Sequence, residues 1–130
     1  MAYGSVLTDT VQSSTAATAP VFKDGNGTQI GTLCRAWVNF NGTGTVAIRA
    51  SFNVSSITDR GTGSYTINLI TALPDTSAAV SGMTANTTSG KAVVTALSFP
   101  STSSIDFSTS ATLGGGAVED SSIVTIAVFR

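Results

Sequence analysis

The sequence predicts an all-β protein, an antiparallel β-sandwich of jelly-roll-like form preceded by an extended N-terminal arm. Three observations carry that expectation. Segments such as Ala36-Trp37-Val38-Asn39-Phe40 and Ser64-Tyr65-Thr66-Ile67 place apolar side chains at every second position, the period of a half-buried strand. Turn-forming residues separate these segments at intervals of about 8–12 residues, the spacing of a sandwich or barrel. Charged residues make up only 10% of the chain while Thr and Ser number 21 and 18. Thr favours strands and Ser favours turns, and no segment repeats with the period of a helix.

The elements follow in order. Residues 5–11 form a short, half-polar, strand-like segment, and 12–19 are low in complexity. Phe22 and Ile30 flank the turn signal Asp24-Gly25-Asn26-Gly27. This first third has too few large apolar groups to fold alone, so residues 1–31 are read as an arm that packs on the rest or winds with copies of itself, and 32–130 as the sandwich.

A hairpin comes next, with Ala36, Val38, Phe40, Val46, Ile48, Ala50, Phe52 and Val54 on one face. Opposed residues of a ladder share a face, so the loop holds an odd number of residues. A loop at 41–43 pairs Val38 with Val46 and Arg35 with Arg49. A loop at 41–45 pairs Val38 with Ile48 and Trp37 with Arg49. Residues 55–63 read as a turn-rich connection. Tyr65, Ile67 and Leu69 define the next strand, which Pro74 ends because proline cannot donate to a ladder. Residues 77–83 form a weak strand, and 90–100 a better one closed by Pro100. In the next strand Ile105, Phe107 and Leu113 point inward, and Asp106, Ser108 and Ser110 outward. Three glycines, 114–116, then break the chain. The last segment is apolar on both sides, with Val124, Ile126 and Val128 on one and Ile123, Ala127 and Phe129 on the other. Such a strand is central and covered twice, so its second face is expected to meet another sheet or a neighbouring copy.

Several chemistries are excluded. The chain has no histidine, which removes Ser–His–Asp and Cys–His nucleophile systems and the usual neutral-pH base. The seven acids are scattered, leaving neither a metal cluster nor the paired carboxylates of a glycosidase. No cofactor motif is present, and no catalytic residue is assigned. Asp24-Gly25-Asn26-Gly27 and Glu119-Asp120 read as ordinary turns rather than cation loops. A net charge of −1 lacks the basic stripe of a nucleic-acid binder. No stretch nears the ~20 apolar residues of a membrane-spanning helix, and the start of the chain has neither the basic nor the apolar run of a signal peptide. The single thiol, Cys34, reads as a small buried hydrophobe. Low charge brings little repulsion between copies. Arg35, Arg49 and the only tryptophan, Trp37, share one small patch, so this patch, with Ile123, Ala127 and Phe129, is the expected subunit contact. Asp59, Asp106 or the terminal carboxylate of Arg130 is expected to neutralise the arginines, with Trp37 stacked beside one of them. An exposed polar sheet face is the competing reading of the patch.

The run TLCRAWVNFNGTGTVAIRASFNVSSITDRGTGSYTINLITALPD, residues 32–75, resembles the C-terminal domain of tail-fibre and other virion structural proteins of bacteriophages, especially marine and cyanobacterial ones. The upstream DTVQSSTAATAPVFKDGNGTQIGT and the closing VTIAVFR resemble the flanks of the same domain. The resemblance implies a non-enzymatic virion component: a short trimeric tail-fibre element or fibre tip, assembled as a homotrimer with other virion proteins, made in the host cytoplasm and located in the virion. It implies an oligomerisation or virion-attachment role for residues 1–31, and it supplies no ligand motif. Many such domains end longer fibres, whereas this chain begins at Met1, so a capsid decoration or head-fibre protein is the alternative expectation. If the chain contacts a host cell-surface glycan, loops at one end of the sandwich are expected to do so, through Asp59, Arg60, Asn86, Lys91, Glu119 and Asp120.

Overall fold

The structure is a computed structural model describing residues 4, 6–15, 19–85, 93–110 and 117–130, with 93–97 as strand backbone alone. The chain divides into two compact units, Met1–Leu33 and Cys34–Arg130.

In the first unit β1 (Phe22–Lys23) pairs with β2 (Gln29–Gly31) in an antiparallel hairpin. Asp24 shapes its turn. One carboxylate oxygen accepts the backbone N–H groups of Asn26 and Thr28, both at 2.9 Å, and the Asp24 carbonyl accepts that of Gly27 at 3.0 Å. This is local Asx-turn chemistry. Residues 6–11 form no strand. None of the described side chains of this unit is buried.

The second unit holds eight strands: β3 (Cys34–Asn41), β4 (Ala47–Phe52), β5 (Val54–Gly61), β6 (Ser64–Leu69), β7 (Ala79–Ala85), β8 (Val93–Ser101), β9 (Ser104–Ser110) and β10 (Ile123–Phe129). They form two four-stranded antiparallel sheets. Sheet I has the order β4-β3-β10-β7, and sheet II the order β5-β6-β9-β8. No helix occurs among the described residues. The hairpins β3–β4, β5–β6 and β8–β9 each stay within one sheet, while the other connections cross between sheets.

The core lies between the sheets, as alternation predicts. Sheet I contributes Ala36, Val38, Phe40, Val124, Ile126 and Val128. Sheet II contributes Val54, Tyr65, Ile67, Leu69, Ile105 and Phe107, and Leu73 joins them. Burying each large side chain of this kind stabilises the fold by roughly 1.5–3 kcal/mol. Tyr65 sits among rings, with Phe40 at 5.2 Å edge-on and Phe107 at 5.5 Å tilted, geometries that suit the ring quadrupoles.

Three expectations are corrected. Residues 54–61 are strand β5 and not a turn-rich connection. Their Ser, Thr, Asp and Arg side chains have the composition of a loop, but they are the solvated residues of an edge strand. The turn itself is Gly61-Thr62-Gly63, where both glycines take positive φ. Second, the β3–β4 register slips between Asn39 and Phe40. Phe40 pairs with Ile48, but Val38 pairs with Ser51 and Trp37 with Phe52, so neither predicted pairing of Val38 holds. The parity argument is correct next to the turn and fails beyond it, because a bulge inserts one residue and swaps the faces. Third, Pro100 lies inside β8, an edge strand whose register breaks between Ser98 and Ser101. An edge tolerates proline because one side of the strand has no ladder partner.

A single residue, Asn53, turns the chain from β4 into β5. It is the only non-glycine residue with positive φ among those described (58°), a conformation asparagine adopts more readily than most. Its side chain secures the corner. Nδ2 donates to the carbonyls of Arg35 and Thr71, each at 3.0 Å, and Oδ1 accepts the Thr71 N–H at 2.7 Å.

Tyr65 ties one end of the sandwich together. Its hydroxyl donates to Asp120 Oδ1 at 2.8 Å, with the Gly42 carbonyl at 3.1 Å. The same Asp120 oxygen accepts the Gly63 N–H at 2.7 Å. Gly63 has φ 63°, and a Cβ there would lie 2.7 Å from both Glu119 N and Thr109 O, so this close approach needs glycine. Burial, then the hydrogen bond to Asp120 and its charge, push the Tyr65 phenol above its ordinary value of 10.0. A raised phenol adds stability that is present below that ordinary value and declines as the unfolded chain ionises above it. Tyr65→Phe is therefore expected to lose about 1–3 kcal/mol at neutral pH. Its deficit against the parent chain should shrink at alkaline pH, as read from urea unfolding on both sides of that value.

Candidate functional site

The outer faces of the two sheets differ in chemistry. On sheet II, β5, β6 and β9 present Ser56, Thr58, Thr66, Asn68, Ser104 and Asp106 as laterally opposed neighbours. These side chains bond one another. Asn68 Nδ2 donates to Ser56 Oγ and Thr58 Oγ1, both at 3.0 Å, and Thr66 donates to Asp106 Oδ1 at 2.5 Å. Arg60 closes this polar surface with an ion pair to Asp106 at 2.8 Å.

Sheet I is the opposite. Trp37 on β3 lies between Phe52 on β4 and Ala127 on β10, and Ala127 lies opposite Ser81 on β7. Ile123, Thr125 and Phe129 continue the β10 row, and Met83 lies beside Thr125. Large apolar groups remain in contact with water here: Trp37 at 41%, Phe52 at 55%, Met83 at 75% and Ile123 at 40% exposure. A shallow groove of about 330 Å³ runs across β3, β10 and β7, walled by Trp37, Asn39, Ser81, Met83, Thr125 and Ala127.

Both predicted arginines stand at bulges. Arg49 is the extra residue of β4 where that strand slips against β3. Arg35 is the extra residue of β3 where it slips against β10, between Val128 and Phe129. Bulges re-aim side chains and break the flatness of a sheet. Arg49 thereby reaches over β3, donating to the Ser122 carbonyl at 2.6 Å and to Asn39 Oδ1 at 3.3 Å. Two of the expected carboxylate partners, Asp59 and Asp106, are engaged elsewhere. Asp106 pairs with Arg60, and Asp75 with Arg130, whose guanidinium holds the Asp75 carboxyl below its ordinary value. Asp59 accepts the Gly61 N–H at 2.9 Å. Among the described residues neither Arg35 nor Arg49 has a carboxylate partner, and no arginine stacks on Trp37.

Of the contact residues read from sequence, the structure therefore puts Trp37, Ile123, Ala127 and Phe129 on one face, with Arg49 at its rim and Arg35 at the β3 bulge. Phe52, Met83, Asn39 and Ser81 complete that face and were not anticipated. Phe52 was assigned inward by parity, and a single Met in a weak strand gives no signal of its own.

Of the residues expected in ligand loops, Asp59 and Asp120 meet the same turn, accepting the N–H groups of Gly61 and Gly63. Asp59 and Arg60 lie on β5. Asp120 is held by Gly63 and Tyr65, and the Glu119 backbone is fixed by Thr109, whose hydroxyl donates to its carbonyl at 2.6 Å. Asn86 and Lys91 lie outside the described residues.

Compared with protein-family models, with curated proteins and with solved structures, the chain matches none of them. Fold and surface thus define its class: an all-β antiparallel sandwich with one outer face polar across β5, β6 and β9 and one apolar outer face.

Arg49→Ala should remove the link from β4 to the start of β10. The expected loss is about 1 kcal/mol, since a hydrogen bond on an exposed side chain contributes modestly. It should appear in denaturant unfolding with an unchanged slope.

Proposed function

We propose that this chain is a non-enzymatic structural protein of a bacteriophage virion, a short tail-fibre element or fibre tip whose copies meet through the outer face of sheet I. One observation carries the reading. Trp37, Phe52, Met83 and Ile123 are exposed together on that face, while on the outer face of sheet II the polar side chains of β5, β6 and β9 bond one another. Contiguous exposed apolar surface marks sites of association, and aromatic and Met side chains are enriched at the centres of such sites. The bulged arginines suit the rim, where their stems cover apolar area and their heads stay wet.

The threefold number of copies, the tail location and contact with other virion proteins rest on the sequence resemblance. The absence of histidine and the scatter of the acids support a structural role over a catalytic one. A role as a capsid decoration or head-fibre protein uses the same apolar face, and the place of the chain in an electron-microscopy map of the particle decides between the two. A host glycan as ligand is tested by binding of the purified protein to host cells. It would belong to the fibre reading alone.

Trp37→Ala is expected to lower the mass of the assembly in solution while leaving the fold intact, because Trp37 lies outside the core. An oligomer unchanged in mass by this variant would overturn the sheet-face contact.

A further inference from the structure

A second contact surface lies on the edge of sheet I and not on its face. Four strands end the two sheets: β4 and β7 in sheet I, β5 and β8 in sheet II. An edge strand exposes unpaired N–H and C=O groups, and soluble proteins block such edges with charges, prolines or bulges. Three of the four edges carry these devices. β4 has Arg49 at a register break. β5 has two register breaks and the charged pair Asp59-Arg60. β8 has two register breaks and Pro100.

β7 has none of them. Its sequence, Ala79-Val80-Ser81-Gly82-Met83-Thr84-Ala85, carries no charge and no proline. Its register with β10 runs from end to end without a break. The carbonyls of Met83 and Ala85 face β10, since they accept the hydroxyls of Thr125 and Ser122 at 3.1 and 3.3 Å. Backbone direction alternates along a strand. Val80, Gly82 and Thr84 therefore turn their N–H and C=O groups outward.

We infer that β7 pairs with β7 of a second copy, antiparallel about a twofold axis through Gly82. In that register Val80 meets Thr84 of the second copy, and Gly82 meets its counterpart. Among the described residues these backbone groups have no partner, and each such opposed pair exchanges two hydrogen bonds. Ser81 then lies opposite Met83 of the second copy, on the outer face. No charge meets its own kind anywhere along the strand, a clash that would disfavour self-pairing. A second copy is the occupant that this symmetry fits, because an isologous contact needs a self-complementary surface, and a short, neutral strand with glycine at its centre is one. The pairing joins two four-stranded sheets into one and makes their apolar outer faces continuous. It goes beyond the sheet-face contact and stands without it: copies joined by this edge come in twos, whatever number meets through the face.

The test uses the full chain, followed by sedimentation from micromolar to millimolar concentration and by amide hydrogen exchange. Paired edges predict that the amides of Val80, Gly82 and Thr84 exchange fast when dilute. They should slow by about tenfold once about nine in ten edges are paired. Ser81, Met83 and Ala85, which face β10, should stay protected throughout. Gly82→Pro should abolish the slowing, and it removes no bond to β10 because the Gly82 N–H points outward. Two double variants check the register independently. Ser81→Lys with Met83→Lys sets like charges against each other across the axis and should dissociate the pair. Ser81→Glu with Met83→Lys sets opposite charges there and should retain it. The inference is overturned if Val80, Gly82 and Thr84 exchange fast at every concentration, or if the two double variants associate alike. Association that persists with fast edge amides and vanishes in Trp37→Ala belongs to the sheet face, and it too overturns the edge pairing.

Discussion

A two-layer sandwich covers one face of each sheet, and β10 is apolar on both. This constraint shapes the rest of the molecule. The inner row, Val124, Ile126 and Val128, is buried in the core. The outer row, Ile123, Ala127 and Phe129, lies at the middle of sheet I, where β3 and β7 flank it. Neighbouring strands extend the apolar row with Trp37, Phe52 and Met83. Such a surface in water forgoes the stabilisation that burial brings, roughly 25 cal/mol per Å² of apolar area. Sheet II shows that this sequence can build a polar face when one is required, from Thr66, Asn68, Ser56 and Asp106. The difference between the two faces lies in the residues chosen and not in the fold, since both sheets are four-stranded and antiparallel.

The two arginines that stand out in the sequence acquire a physical explanation from this frame. They do not pair with each other, nor with any carboxylate described. Each occupies the extra position of a bulge, where a side chain leaves the regular alternation. Arg49 bonds across β3 to Ser122 at the start of β10, and so braces the edge strand β4 against the centre of the sheet. Their effect is to bend and interrupt sheet I at β3 and β4, while the β7 side of the same sheet stays regular and neutral. Among the described residues the sheet therefore has one protected edge and one without such devices.

Much of the core was legible in the sequence, and for one reason. Alternation reports which side of a strand a residue takes, and it identified the buried faces of β3, β6, β9 and β10, including Tyr65, Ile67, Ile105 and Phe107. It failed wherever the ladder slipped, and at Ser110, which alternation points outward and the structure buries. A bulge has no strong signature in a single sequence, so Phe52 was assigned to the core although it is half-exposed on the outer face beside Trp37. Composition misled at β5, where Ser, Thr, Asp and Arg look like a loop but solvate an edge strand. Contacts between distant segments were out of reach altogether. Nothing local to Asp120 shows that it receives the Tyr65 hydroxyl and the Gly63 amide, and nothing local to Asn53 shows that its amide bonds Arg35 and Thr71. The candidate face was half legible: the double apolarity of β10 announced it, but its far rows depended on register.

Trp37 is the only tryptophan of the chain and lies at the centre of the apolar face, so its emission reports directly on whether that face is covered. Fluorescence of the unmodified chain should shift to shorter wavelength as concentration rises and the ring leaves water, with half of the shift falling at the concentration where the mass increases. Emission that stays characteristic of a water-exposed indole across the range in which the chain associates would contradict the account.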